Sequence, residues 1–270
     1  MLIERKILSD FSKLVRENRN QNFQSNLKVG VDLGTSNIVI SVLDENNNPI
    51  AGMTKESKVV KDGIVVDFIG AINVLKIMKA KLEDTLSVKL INAATAIPPG
   101  IIKGNIKCIS NVVEGAGFEV INIVDEPTAA STVLNIKNGA VVDVGGGTTG
   151  ISILKNGEVI YTGDEPTGGI HMSLVIAGYY GCSIEEAETI KKDKNRESEV
   201  FEIVRPVVEK MASIVKGFLK DYEVHEIYVV GGAASFEGFE EVFEKFIGIK
   251  TIKTNESLFV TPLGIAMNCN

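Results

Sequence analysis

The sequence is poor in the residues that staple or metallate small folds. Its three cysteines, Cys108, Cys182 and Cys269, lie far apart and form no C-x-x-C pair. That excludes a disulfide framework, an iron–sulfur cluster and a structural zinc site. Only two histidines occur, His171 and His225, and neither has a Cys or His partner at ligand spacing. Both are assigned to structure, and neither a catalytic triad nor a zinc centre is expected. No apolar run approaches the roughly 18 residues of a membrane span, and the N-terminus Met1-Leu-Ile-Glu-Arg-Lys6 has no hydrophobic leader core. Positive charge is also in deficit, with 28 Lys and Arg against 35 Asp and Glu and a net charge of −7. A nucleic-acid backbone or an anionic membrane is therefore not an expected partner. What remains is 270 residues, 44% hydrophobic and 23% charged. The expectation is a soluble, cytoplasmic protein with enough apolar mass for one large domain or two lobes.

Residues 1–26 stand apart. Ile3, Ile7, Phe11, Leu14 and Val15 recur at helical spacing, with Glu4, Arg5, Lys6 and Lys13 elsewhere. The polar stretch from Glu17 to Asn26 has almost nothing to bury. The pattern predicts a short amphipathic helix on a tether. It reads either as a peptide that docks onto other proteins, or as a helix packed on its own body or on another protomer. From Leu27 onward strands and helices alternate, which makes the class α/β. Strands are expected at 27–34, 37–43, 65–68, 89–96, 119–124 and 140–144. Helices fit at about 69–86, after Pro98-Pro-Gly100, and at 126–134.

The second half repeats the first. Asp32-Leu-Gly-Thr-Ser-Asn37 runs into Ile-Val-Ile-Ser-Val-Leu43, and Asp143-Val-Gly-Gly-Gly-Thr148 runs into Thr-Gly-Ile-Ser-Ile-Leu154. At the offset that takes Asp32 to Asp143, Gly34 meets Gly145 and Ile40-Ser41 meets Ile151-Ser152. Each copy is strand, Asp, glycine turn and returning strand, and so tight a connection makes the strands antiparallel. The duplication predicts a lobe I of residues 27–138, with 255–270 returning to it, and a lobe II of residues 139–254. Each offers one glycine hairpin to a shared cleft.

The chemistry follows from the hairpins. Gly34, Thr35 and Ser36 on one side and Gly145, Gly146, Gly147 and Thr148 on the other let backbone N–H groups approach phosphate oxygens. Asp32 and Asp143 can hold the waters that Mg²⁺ keeps in phosphate sites. Each Asp alone reads as a turn residue capping its own hairpin, and the matched pair favours a nucleotide. Asp125-Glu126-Pro127 opens a helix as ordinary capping does. Directly before the second hairpin, however, Glu126 is placed to orient a water for attack on a γ-phosphate. Glu188 and Lys191 share a helix face, as a solvated ion pair or as pocket residues. Gly231-Gly232, followed by Ala233 and Phe236, forms a strand-to-helix junction open to a flat ring. The apolar stripe of the helix around 201–222 is core.

In this order the segments Val29–Asn37, Asp125–Ala130, Asp143–Thr148 and Val230–Ala234 resemble the phosphate, connecting and adenosine motifs of the actin-like ATPases. The resemblance covers Leu27 to the C-terminus. It is nearest to DnaK-type heat-shock chaperones, MreB-type bacterial actins and the chaperone-like proteins of ethanolamine utilisation encoded with bacterial microcompartments. It implies two ribonuclease H-like lobes with trimmed outer subdomains, closing on ATP or ADP with Mg²⁺. It implies catalytic roles for Glu126, Asp143 and Asp32, the two aspartates acting on Mg²⁺ through water. Thr35 and Thr148 would bind phosphate within the frame of Gly34, Ser36, Asn37, Gly145, Gly146 and Gly147. Glu188 and Lys191 would touch ribose and base, with the adenine between Gly231 and Gly232, beside Ala233 and Phe236. Pro262–Ala266 would be a second connecting helix whose small residue lets the lobes hinge. In two places the chain departs from the chaperones. Gly150 stands where they carry a carboxylate, which would slow hydrolysis more than binding, and Lys61 is the one candidate for their catalytic lysine. The implied function is an ATP-binding, chaperone-like protein, with hydrolysis open, acting on a microcompartment enzyme or shell protein. The N-terminal helix would be the segment that targets a shell. A nucleotide-bound scaffold with negligible turnover or an actin-like polymer is the alternative, and a small-molecule kinase ranks last.

Overall fold

The computed structural model describes residues 2–3, 5–24 and 26–270. Met1, Glu4 and Ser25, and the side chains of Leu2 and Ile3, belong to the segment predicted as helix and tether and lie outside the described residues. The chain begins with β1 (Leu2–Ile3) and α1 (Lys6–Glu17). It continues through β2 (Lys28–Leu33), β3 (Asn37–Leu43), β4 (Pro49–Glu56), a small hairpin of β5 (Val60–Lys61) and β6 (Ile64–Val65), α2 (Phe68–Leu86), β7 (Asn92–Ile97), α3 (Lys103–Gly115), β8 (Glu119–Asp125) and α4 (Glu126–Leu134). Then come β9 (Gly139–Val144), β10 (Thr149–Lys155), β11 (Glu158–Glu165), α5 (Gly169–Tyr180), α6 (Ile184–Lys192), α7 (Glu197–Phe218), β12 (Glu226–Val230), α8 (Phe239–Ile247), β13 (Lys250–Thr254) and α9 (Val260–Met267).

Two sheets carry the two lobes. The first has the order β4-β3-β2-β7-β8; the second, with β1 at its edge, has β1-β13-β12-β9-β10-β11. Leaving β1 aside, the orders are the same: an antiparallel meander of three strands, extended by two parallel strands beside the first. The duplication reaches the register. Asp32 pairs with Val39 and Asp143 with Gly150, so the same rung recurs in both lobes. β9 is buried along its whole length, as a central strand covered on both faces must be. The strand expected at 65–68 is shorter than its apolar run, because Asp67 caps α2 by accepting a hydrogen bond from Gly70 N at 2.8 Å. Phe68 is therefore already helical.

Each sheet has its own apolar core, and a third core fills the space between them. That middle layer is built on α4 and α9, which cross with Gly264 against the backbone of Ala129. A Cβ at Gly264 would overlap the Ala129 carbonyl and stand 3.1 Å from its Cα. Only glycine lets the two helices approach so far.

The N-terminal segment corrects the tether expectation. Leu8 and Phe11 are fully buried, Leu14 and Val15 nearly so, and Phe11 meets Phe259 edge to face at 5.3 Å. Ile3 belongs to a strand and not to the helix, since β1 runs parallel to β13 with Leu2 opposite Lys253 and Ile3 opposite Thr254. Past the helix, Gln21 N donates to Ile50 O at 2.8 Å, so the polar stretch lies along β4. The apolar stripe gains more from the cleft between β4 and α9 than from water. The helix packs on its own body. Among the described residues, no helix is long and apolar enough to cross a membrane.

Three substitutions, the last a control, test this account by urea unfolding. Phe11→Ala should remove about 3–5 kcal/mol of stability, whereas a freely tethered helix would show no change. Gly264→Ala should cost about 1–3 kcal/mol through the helix crossing. Gly104→Ala, where a Cβ meets nothing within 4 Å, should leave stability unchanged or slightly higher.

Candidate functional site

Between the lobes lies a cavity of about 1040 Å³. The residues singled out from the sequence converge on it. Asp32, Gly34, Thr35, Ser36 and Asn37 line it from the first hairpin, and Asp143, Gly145, Gly146, Gly147 and Thr148 from the second. Glu126 enters from α4, Glu188 and Lys191 from α6, and Gly231, Gly232, Ala233 and Phe236 from the turn after β12. Lys61 is not among the lining residues and is exposed on the β5–β6 hairpin. It corrects the expectation of a lysine at the reacting end.

The second hairpin is pinned from behind. Gly145 N donates to Thr148 O at 3.0 Å, while the Gly145 and Gly146 carbonyls accept from Gly169 N and Ile170 N at the start of α5, at 2.9 and 2.8 Å. Those two carbonyls are thereby spent on α5. The two hairpins also touch. A Cβ at Gly147 would stand 2.8 Å from Thr35 Oγ1 and 2.7 Å from Asp62 Oδ1, and one at Gly146 would stand 3.2 Å from Ser36 N.

Four carboxylates gather where the hairpins begin. Asp143 is buried and accepts a hydrogen bond from Thr261 Oγ1 of α9. Burial raises its pKa to about 6 against the pull of that bond. Burial, reinforced by the charge of Asp143, pushes Asp32 up to about 7. Burial also lifts Glu126 well above the ordinary range, with Asp143, Asp32, Asp164 and Asp125 adding to the effect. Asp164, on β11, is raised to about 6 by burial, opposed by a hydrogen bond with Thr148 and assisted by Asp143. Asp125 is structural, capping α4 by accepting from Thr128 N at 3.0 Å and from Ser152 Oγ at 3.1 Å. Asp164 and Thr261 escaped the sequence reading. Only the pairing of β11 with β10, and the return of α9, bring them here.

At the other end of the cavity, α6 starts with a reciprocal cap: Ser183 N to Glu186 Oε2 at 2.9 Å and Glu186 N to Ser183 Oγ at 3.2 Å. This fixes the face that carries Glu188 and Lys191. Lys191 Nζ donates to Glu188 Oε1 at 2.5 Å, Ser173 Oγ at 2.7 Å and Gly169 O at 2.9 Å. The solvated-pair reading is corrected, because the two side chains are only 25% and 13% exposed. Burial lowers the Lys191 pKa against the pull of Glu188. Burial works against the Glu188 carboxylate, and Lys191 nonetheless holds it below the ordinary value. Gly231, at φ +90°, donates its N–H to Ser257 O at 3.0 Å. The Phe236 ring stacks on Phe201 at 5.6 Å, so it is a wall of the lobe II core as much as of the cavity. His171 Nδ1 accepts from Gly168 N at 3.2 Å, the structural role expected of it.

These carboxylates set a pH dependence. In the unfolded chain Asp32, Asp143 and Asp164 ionise near 3.8; in the fold they hold their protons to about 6 or 7. Their contribution to stability is complete below the unfolded value and is lost as pH rises through the folded one. Without metal or nucleotide, the Tm should therefore fall between pH 5.5 and pH 8. Asp32→Asn should raise it at pH 8 by about 3 °C. A flat profile, or a less stable variant at pH 8, would contradict this electrostatic picture.

Known proteins are similar to this chain in sequence and in fold. A family model described as MreB/Mbl protein matches residues 50–192, and one described as type IV pilus assembly protein PilM matches residues 129–262. Ethanolamine utilization protein EutJ of Escherichia coli (strain K12) is 41% identical over 244 residues, covering 90% of this chain and 86% of that protein. The crystal structure of EutJ from Carboxydothermus hydrogenoformans superposes with a TM-score of 0.93 at 49% identity, covering 97% of each chain. MreB5 of Spiroplasma citri bound to ADP has the same fold at a TM-score of 0.72 and 18% identity, covering 88% of this chain and 94% of that one. With the duplicated lobes, the cleft and this identity along nearly the full length, the chain belongs to the EutJ family of ethanolamine utilization proteins, on the fold of the actin-like ATPases.

Proposed function

We propose that the protein binds ATP or ADP with Mg²⁺ between its lobes, and that the nucleotide sets lobe closure in a chaperone-like role in ethanolamine utilisation. The client would be a microcompartment enzyme or shell protein. One observation carries the reading: two glycine hairpins meet in one cavity over the buried Asp143 and the half-buried Asp32 and Glu126, whose charges repel. A fold neighbour described as bound to ADP lends it support.

The donor set suits a hydrated divalent cation. Asp32 and Asp143 are hard oxygen donors, and neither has its charge offset by a nearby lysine or arginine. Among the described residues no three His, Cys, Asp or Glu side chains converge to ligate a metal directly. They would therefore hold Mg²⁺ through its waters, and the bound ion would neutralise charge on the phosphates. The chain's own groups do the rest. Thr35 and Thr148 donate hydroxyl hydrogen bonds to phosphate, and the glycine turns supply N–H. Glu126, held at the first turn of α4, orients a water toward the γ-phosphate. Lys191 and Glu188, already fixed on each other, face the ribose and base. Because both lobes touch one ligand, its presence favours the closed arrangement.

A second reading, a nucleotide-held scaffold with negligible turnover, is favoured by the ion pairs at the cleft mouth. Lys58 meets Glu185 at 2.5 Å and Lys192 meets Glu56 at 2.8 Å, each joining the lobe I rim to α6. Calorimetric titration with Mg-ATP and Mg-ADP, followed by phosphate release on the same sample, separates the two. Binding should be lost or weakened by about tenfold or more in Asp143→Asn. Phosphate that accumulates, and accumulates faster with a candidate client, supports the ATPase. Tight binding without turnover supports the scaffold. Absence of binding at millimolar nucleotide would sink both.

A further inference from the structure

Asp164 is a carboxylate in contact with Thr148 of the second hairpin to which neither reading assigns work. It stands on β11, the edge strand of the second sheet. Asp143, Gly150 and Asp164 form one rung across β9, β10 and β11. Partners on an antiparallel rung send their side chains to the same face. Its middle member has no side chain. A Cβ at Gly150 would stand 3.4 Å from Asp164 Oδ1, 3.3 Å from Pro127 Cγ and 3.4 Å from Pro99 Cδ. The carboxylate of Asp164 thus lies in contact with the position that a side chain at 150 would start from. It shares the rung with Asp143 and is near enough for that charge to act on it.

Its hydrogen bonding is incomplete. Thr148 bonds the carboxylate, while Oδ1 is shielded from solvent and has no partner among the described residues. A shielded acceptor without a donor is a cost that a fold keeps only where something else supplies the donor. A protein side chain is not what supplies it here. A water brought in with a cation is the donor whose chemistry fits, because the neighbours of Oδ1 along the rung are themselves acceptors.

We propose that Asp164 is a positioning residue of the nucleotide site, its Oδ1 reaching across Gly150 to accept a hydrogen bond from a water of hydrated Mg²⁺ that Asp143 also holds. The proposal rests on the nucleotide reading above. It makes Gly150 the space that lets a carboxylate arrive from the next strand.

The test is calorimetric titration of the full chain with ADP, first in EDTA and then in Mg²⁺, for three proteins: wild type, Asp164→Asn, and the exchange variant Gly150→Asp/Asp164→Gly. Melting curves without ligand establish that each is folded. Mg²⁺ should strengthen ADP binding in the wild type, and Asp164→Asn should cut that gain by about tenfold. ADP alone should bind Asp164→Asn more tightly than wild type, because one negative charge facing the diphosphate is gone. The exchange variant should recover most of the Mg²⁺ gain, since it returns a carboxylate to the rung. A full Mg²⁺ gain in Asp164→Asn, or an equal loss with and without Mg²⁺, overturns the proposal and leaves Asp164 a partner of Thr148 only. Should Asp164→Asn fail to fold, the exchange variant decides alone: a retained gain supports the proposal and a lost one overturns it. If wild type binds ADP under neither condition, the nucleotide reading itself falls, a result distinct from any of these.

Discussion

The crossing of α4 and α9 at Ala129 and Gly264 sets the separation of the two sheets, and the cleft is a consequence of it. α4 begins with Glu126, and α9 carries Thr261 less than one turn before Gly264. Bringing these helices into backbone contact therefore brings a carboxylate and the hydroxyl partner of Asp143 to the same end of the molecule. α9 is also stitched to lobe I: Ser41 Oγ donates to Pro262 O at 2.6 Å, and a Cβ at Gly30 would stand 2.5 Å from Ala266 N. One helix thus leans on the central hairpin of lobe I while its side chain holds the aspartate of lobe II. Lobe geometry and carboxylate geometry are the same constraint seen from two sides.

The site is built against stability. Four carboxylates sit where burial raises their pKa values, and for Asp32, Glu126 and Asp164 neighbouring negative charge adds to it. The fold holds them there by the apolar cores on either side. Such opposition between local energetics and global packing is where function is commonly found. The ion pair of Glu188 and Lys191 at the far end is the reverse case, two charges buried with each other and with Ser173 as partner.

Much of this was legible in the sequence because the duplication is local. A strand, an aspartate, a glycine turn and a returning strand can be read within a dozen residues, and the second copy turned an ordinary hairpin into a signal. The antiparallel hairpins and their convergence on one cleft followed, whereas sheet order and register came only with the structure. Interactions that join distant strands were not legible. Asp164 sits in an exposed-looking edge strand, and its place depends on a pairing two strands away from Asp143. Phe236 suggested a platform for a ring, and no periodicity showed that its face would be taken by Phe201. The N-terminal helix showed its apolar stripe plainly, but a stripe does not name its partner. The polar stretch after it looked like a tether because its hydrogen bonding to β4 is made by the backbone.

β1 and α1 have a bearing on how the chain is made. Arg5 N donates to Asn255 Oδ1 at 2.8 Å, a contact between residues 250 positions apart, and β1 finds its strand partner only in β13. On the ribosome, at about 5–20 residues per second, roughly ten to fifty seconds pass before that partner exists. During that interval α1 can rest on β4, but the strand ahead of it and the Phe259 face of its core have nothing to join. β1 is therefore locked long after it is made. The nascent chain carries an unfinished sheet edge until β13 has been made, with the slow closure and the exposure to wrong partners that distant pairing brings.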